Sequence, residues 1–152
     1  MHSGHLSNAL RAGAIYLSAV LVGNLAWESL HLPLYTIWQD GTLRQRVVAV
    51  VHCTARDVLI AAIALVLSLA IVGGREWPAR KFAQVAVVAS AIGIGYTVFS
   101  EWMNVHVHHA WAYSQLMPVI SLGGVTVGLS PTFQWSIVPP ASFLFMTYFV
   151  RR

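Results

Sequence analysis

Long apolar stretches alternate with short polar breaks along this chain, on the length scale of a bilayer rather than of a globular core. Crossing about 30 Å of hydrocarbon takes about 20 predominantly apolar residues in a helix. Four stretches meet or approach that length. Residues 12–38 (AGAIYLSAVLVGNLAWESLHLPLYTIW) form the first, with Pro33 marking a kink or the end of regular helix. Residues 47–72 form the second, closed by Gly73 and Gly74, and residues 82–104 the third. Residues 132–150 form the fourth and shortest, expected to be kinked by Pro139 and Pro140. The pattern predicts an all-α membrane protein with one domain over residues 1–152: a four-transmembrane-helix up-down bundle with a long extracytoplasmic loop between helices three and four.

Composition agrees with that pattern. Hydrophobic residues make up 57% and charged residues 9%, against roughly 25% charged in typical soluble domains. So few charges cannot solvate a globule, and lipid removes the need. The formal charge of +4 does not point to nucleic acid, because the basic residues scatter to segment ends and form no stripe. Their placement gives orientation instead. Arg11, Arg75, Arg80, Lys81, Arg151 and Arg152 fall on one side of an even-spanned chain, and Arg44 and Arg46 on the other. The positive-inside rule then places both termini in the cytoplasm, with an integral membrane location expected in a bacterial inner membrane. Trp27, Trp38, Trp102, Trp111 and Trp135 gather toward the outer end, where an aromatic belt would sit. The first apolar segment is longer than the roughly 7–15 residues of a secretory signal and is expected to be a span.

The connections differ in kind. Those at residues 39–46 and 74–81 are short, whereas residues 105–131 are long and rich in His, Trp, Gly and Pro; long loops in compact domains are often functional. Within that loop GGVTVGL (123–129) alternates glycine with β-branched residues and suggests a small hairpin over the bundle mouth. His2 and His5 fall in a short polar tail expected to be disordered and without a role. The single cysteine, Cys53, allows no intrachain disulfide and reads as a buried, inert thiol.

The ionisable residues inside the spans carry the chemistry. Glu28, His31, His52, Arg56, Asp57 and Glu101 lie within or at the edge of apolar segments, where a charge costs about 2.5–3.5 kcal/mol on insertion scales and so faces a bundle interior or wet cavity. Up-down topology brings all six to the outer third of the bundle. On the first helix Asn24, Glu28, His31 and Tyr35 recur at intervals of 4, 3 and 4, and on the third Thr97, Glu101, Asn104 and His108 repeat them, each set keeping to one face. Aligning the two segments puts Glu28 on Glu101, His31 on Asn104 and Trp38 on Trp111, a weak internal repeat of a two-helix unit. Arg56 reads as a structural ion pair or a snorkelling side chain. Asp57 lies about 140° around the helix from His52, so the two are not expected to share one site well.

Glu-x-x-His presents a carboxylate and an imidazole from adjacent turns, the element from which four-helix carboxylate metal sites are made. Glu28, His31, His52 and Glu101, with His106 and His108 from the histidine-rich segment, form the expected metal set. Zinc, iron, manganese and copper are not distinguished by such ligands, and a haem b held by His31 and His52 ranks lower. Glu28 and Glu101 are the candidate catalytic groups. The bland alternative is a hydrogen-bonded polar cluster that only ties helices together. Phosphate loops, nucleophile elbows, CxxC and HExxH motifs are absent. The sequence therefore leads to a small membrane metalloprotein, with a metal-dependent enzyme acting on an apolar or lipid substrate as its sharper form. Its alternatives are a proton-coupled transporter or relay protein and a non-catalytic accessory subunit. Expected partners are the bilayer, an apolar small molecule, and a second copy or another membrane-complex subunit.

Overall fold

The computed structural model describes residues 2–73 and 76–150, with side chains described throughout these except at residues 2–5 and 122. The elements in chain order are α1 (His2–His31), α2 (Ile37–Asp40), α3 (Leu43–Val72), α4 (Phe82–Trp102), β1 (Val119–Leu122), β2 (Val125–Gly128) and α5 (Leu129–Val150). Three segments, Leu6–Leu34, Leu43–Val72 and Phe82–Val107, are long and apolar enough to cross a membrane. Only 22%, 28% and 22% of their most apolar windows are buried within the chain, so most of that apolar surface faces outward, as lipid contact requires. Val22, Leu30, Val66, Ile71 and Val87 all stand in the open. α5 is not among these three, since Gln134, its serines and its two prolines lower its hydropathy.

Local chemistry sets the element boundaries. Pro33 has no amide hydrogen to continue the ladder, so α1 stops at His31 and passes into a single 3-10 turn over Leu32–Leu34. The first span accordingly ends short of Trp38, which lies on the separate one-turn helix α2. α1 also begins at His2, so the tail expected to be disordered is helical. α3 begins at Leu43, ahead of the expected residue 47, because Thr42 and Gln45 form a capping box. The Thr42 hydroxyl accepts from the Gln45 amide while the Gln45 side chain accepts from the Thr42 amide. Gly73 ends the helix in the left-handed conformation at φ 74°. The hairpin forms as antiparallel β1 and β2, turning through Gly123 and Gly124 at φ 58° and 83°; a two-residue turn with both φ positive suits glycine at both positions.

The four long helices pack in a cycle, α1 against α3 and α5, and α4 against α3 and α5. The buried faces of α1 and α4 follow four-residue spacing. On α1 it runs Ala12, Tyr16, Val20, Asn24, Glu28, and on α4 Val85, Ala89, Gly93, Thr97, Glu101. Both faces are apolar at the start of the helix and polar at its end. The apolar half makes the core with Ala61, Ala64, Leu65, Phe143 and Met146, and Tyr16 stacks on Phe143 with ring centroids 4.0 Å apart. Trp135 is 2% exposed and so belongs to this core rather than to an interfacial belt. The polar half leaves a cavity.

Candidate functional site

The cavity has a volume of about 440 Å³ and opens between the end of α1, the first half of α3, the end of α4 and the start of α5. Glu28, His31, His52, Arg56, Asp57 and Glu101 all line it. With Asp40 at its rim, Glu28, Asp57 and Glu101 put four of the chain's five acidic residues on its wall. Leu32, Ile37, Ile60, Tyr96, Trp111 and Trp135 supply the apolar and aromatic lining.

Two hydrogen-bonded groups organise the polar wall. In the first, His31 Nε2 lies 2.9 Å from Glu28 Oε2 and His31 Nδ1 lies 3.0 Å from Ser130 Oγ, all three residues being buried. Gln134, one turn beyond Ser130 on α5, directs Nε2 at Glu28 Oε1 (3.0 Å), Asp57 Oδ2 (2.8 Å) and Asn24 Oδ1 (3.1 Å). One amide thereby ties α1, α3 and α5 together. In the second group the Tyr113 hydroxyl donates to Glu101 Oε2 at 2.6 Å and accepts from the Gly128 amide at 2.9 Å. Burial, and then the Glu101 carboxylate, push the Tyr113 phenol above its ordinary value, so it remains a donor at neutral pH. Tyr35 is also raised, by burial first and then by the Glu101 charge. It lies at the cavity mouth, bridged through its backbone to Tyr113.

Other expected participants are placed differently. His52 lines the cavity but is exposed. His106 and His108 do not line it: both are exposed, and His106 Nε2 binds the Thr126 carbonyl oxygen at 2.6 Å. The cause is a π-helical turn over Met103–Val107, in which the His108 amide reaches back five residues to the Met103 carbonyl. That wider turn breaks the 3.6-residue period on which the stripe was extended to Asn104 and His108. Asn104 is used locally, donating to the Ser100 carbonyl at 2.8 Å. Asp57 and His52 do line the same cavity despite their angular separation, because Asp57 reaches across to Gln134 while His52 stays exposed on its wall. Arg56 makes no ion pair among the described residues and approaches the Ser100 hydroxyl at 3.5 Å.

The expected metal set is therefore dispersed in part. Among the described residues no three His, Cys, Asp or Glu side chains come together as a ligand group. Glu28 and His31 are adjacent, but each is occupied by the other and by a residue of α5. Sequence reasoning missed Ser130, Gln134 and Tyr113. The pair Ser130 and Gln134 has four-residue spacing and could have been read as one polar face of the last helix. Tyr113 carried no such signal, since only folding of the loop brings it to Glu101.

Fold and site together define a helical membrane protein with a carboxylate-lined internal cavity. Comparison with known proteins adds no relative to that class: no family model, curated protein or solved structure matches the chain.

Proposed function

We propose that this chain is a four-span integral membrane protein that takes a small amphipathic molecule into the cavity between its helices, near the extracytoplasmic face. The supporting observation is the joint lining of one 440 Å³ space by Glu28, His31, Asp57, Glu101 and Gln134 on one part of its wall and by aliphatic and aromatic side chains on the rest. Pockets of roughly 300–1,000 Å³ with apolar walls and a few convergent polar groups are the usual form of small-molecule sites. In this reading α5 is the fourth span, antiparallel to its neighbours, and both termini are cytoplasmic in a bacterial inner membrane. Arg11, Arg80 and Lys81 support that orientation, while Arg75, Arg151 and Arg152, which the charge count also used, lie outside the described residues. Glu28 and His31 form the hydrogen-bonded carboxylate–imidazole pair of the cavity's polar wall.

Trp111 and Trp135 line the cavity, so occupancy changes their fluorescence. Titrating 1-monocaprylin, an uncharged amphiphile, into protein in nanodiscs is expected to give a saturable one-to-one change. Filling the space with Ala49→Trp, at a lining position, should abolish the change while leaving helical content intact. Equal response from both proteins, or none from either, would sink the reading.

A second reading keeps the cavity and adds a divalent metal, favoured by the shared lining of Glu28, His31, His52 and Glu101. It requires His52 or Glu101 to swing onto the Glu28–His31 pair. Elemental analysis of detergent-purified protein should then find about one metal per chain, lost in Glu28→Gln; metal-free protein that still binds the amphiphile rules it out.

A further inference from the structure

With Glu28 ionised and His31 neutral, the hydrogen bonds around His31 take one direction. The carboxylate then only accepts, so the proton between Glu28 Oε2 and His31 Nε2 belongs to the imidazole. A neutral imidazole carrying its hydrogen on Nε2 has a lone pair on Nδ1. Ser130 Oγ lies 3.0 Å from that Nδ1 and also receives the Trp27 indole N–H at 3.3 Å. An indole N–H can only donate, so the Ser130 oxygen accepts from Trp27, and in this tautomer its own hydrogen goes to the His31 Nδ1 lone pair. The result is a hydroxyl aimed at an imidazole whose far nitrogen is held by a carboxylate.

From this geometry we infer that Ser130, His31 and Glu28 form a nucleophile–base–carboxylate relay, with a carboxylic ester as the substrate class. Such a constellation is defined by geometry and roles rather than by order in the chain. Ser130 lies in the first turn of α5, where the helix dipole favours negative charge developing on or beside its oxygen. Its neighbours in the relay and the chain, His31 and Pro131, line the cavity, so an ester lodged there lies next to the relay. The inference rests on the cavity holding an amphiphile, and it names the chemistry done there.

The reaction balances without an added cofactor. Ser130 Oγ bonds to the ester carbonyl carbon as its proton passes to His31 Nδ1. The C–O bond to the alcohol breaks, and His31 returns the proton to the departing alkoxide. Water then attacks the acyl-serine, giving a proton to His31 that passes to Ser130 Oγ as the acid leaves. Glu28 keeps the imidazole in the required tautomer and is a positioning residue.

A fluorophosphonate bearing an alkyl chain tests the relay directly, since Ser130 Oγ would displace fluoride and form an O–P bond. Wild-type protein in nanodiscs, digested and read by mass spectrometry, is expected to carry one adduct, on Ser130. His31→Ala should slow labelling by about 10²-fold or more, and Glu28→Gln should slow it with the adduct still on Ser130. Unmodified Ser130 in wild-type protein at saturating probe would overturn the inference, whatever the variants do. Labelling unchanged by His31→Ala in protein that keeps its helical circular dichroism would overturn it too. Persistence of the monocaprylin response in either case shows that the relay has failed while the cavity reading stands.

Discussion

Gln134 offers two hydrogens on Nε2 and faces three acceptors, on Asn24, Glu28 and Asp57. Around it the Asn24 Nδ2 is buried with no partner. Buried polar groups are costly when unpaired; among the described residues the three acceptors around Gln134 lack one donor and Asn24 Nδ2 lacks an acceptor, so this corner is open to a ligand that supplies both. Glu101 is served differently, by one strong bond from Tyr113. Replacing Tyr113 with Phe strips Glu101 Oε2 of its donor and the Gly128 amide of its acceptor, each a loss of about 1–3 kcal/mol if left buried. Tyr113→Phe should therefore lower the thermal midpoint in detergent and raise amide exchange in β2. An unchanged midpoint with unchanged exchange would show that water takes over both roles. At this scale the sequence made Glu28, His31 and Glu101 legible, because an ionisable residue inside an apolar run must be sheltered. It could not reveal their partners, because Ser130 and Gln134 look like ordinary polar helix residues until α5 is laid against α1.

The helices owe their approach to a few positions. A Cβ on Gly93 would sit 2.1 Å from Trp135 Cε3, so α4 and α5 can touch there only through glycine, and Trp135 thereby reaches the cavity wall. Gly93→Ala is expected to cost about 1–3 kcal/mol through overpacking, read as a lower unfolding midpoint and a blue or red shift of tryptophan emission. The same substitution at Gly95, which has open space around it, should change neither; equal effects at both would remove the packing argument. Gly93 and Gly95 lie two residues apart in the sequence, and nothing local tells which of them packs inside the chain. Element ends show the same division. Pro33, the Thr42–Gln45 box and Gly73 are local signals and mark their boundaries directly. The π turn after Trp102 is not, and it breaks the period that put His108 on the stripe; His108 and His106, the latter expected from the histidine-rich segment, both stand outside the cavity.

For the whole molecule, the buried apolar half and the polar cavity half lie at opposite ends of the same helix faces. If the cavity end is extracytoplasmic, the α1–α3 connection and the α3–α4 connection lie on opposite sides of the membrane. Single cysteines placed at Gln39 and Ala79 in a Cys53→Ser background test this. An impermeant maleimide added to intact cells should modify Gln39→Cys, and Ala79→Cys only after lysis. The reverse pattern would invert the orientation, and labelling of both in intact cells would end the transmembrane arrangement.

Apolar run length and composition by themselves determined that the chain is helical and built for lipid, because backbone groups in hydrocarbon must be satisfied within each segment and that demand is written residue by residue. Helical spacing likewise put Asn24, Glu28 and His31 on one inward face and Thr97 and Glu101 on another. Tertiary structure alone decided the cavity's membership and its support: Gln134 joined the wall, Ser130 and Tyr113 came to bond the lining residues His31 and Glu101, and two of the expected histidines were left outside. Contacts between residues about 100 positions apart depend on how helices cross and how a loop folds back, and no local pattern records either.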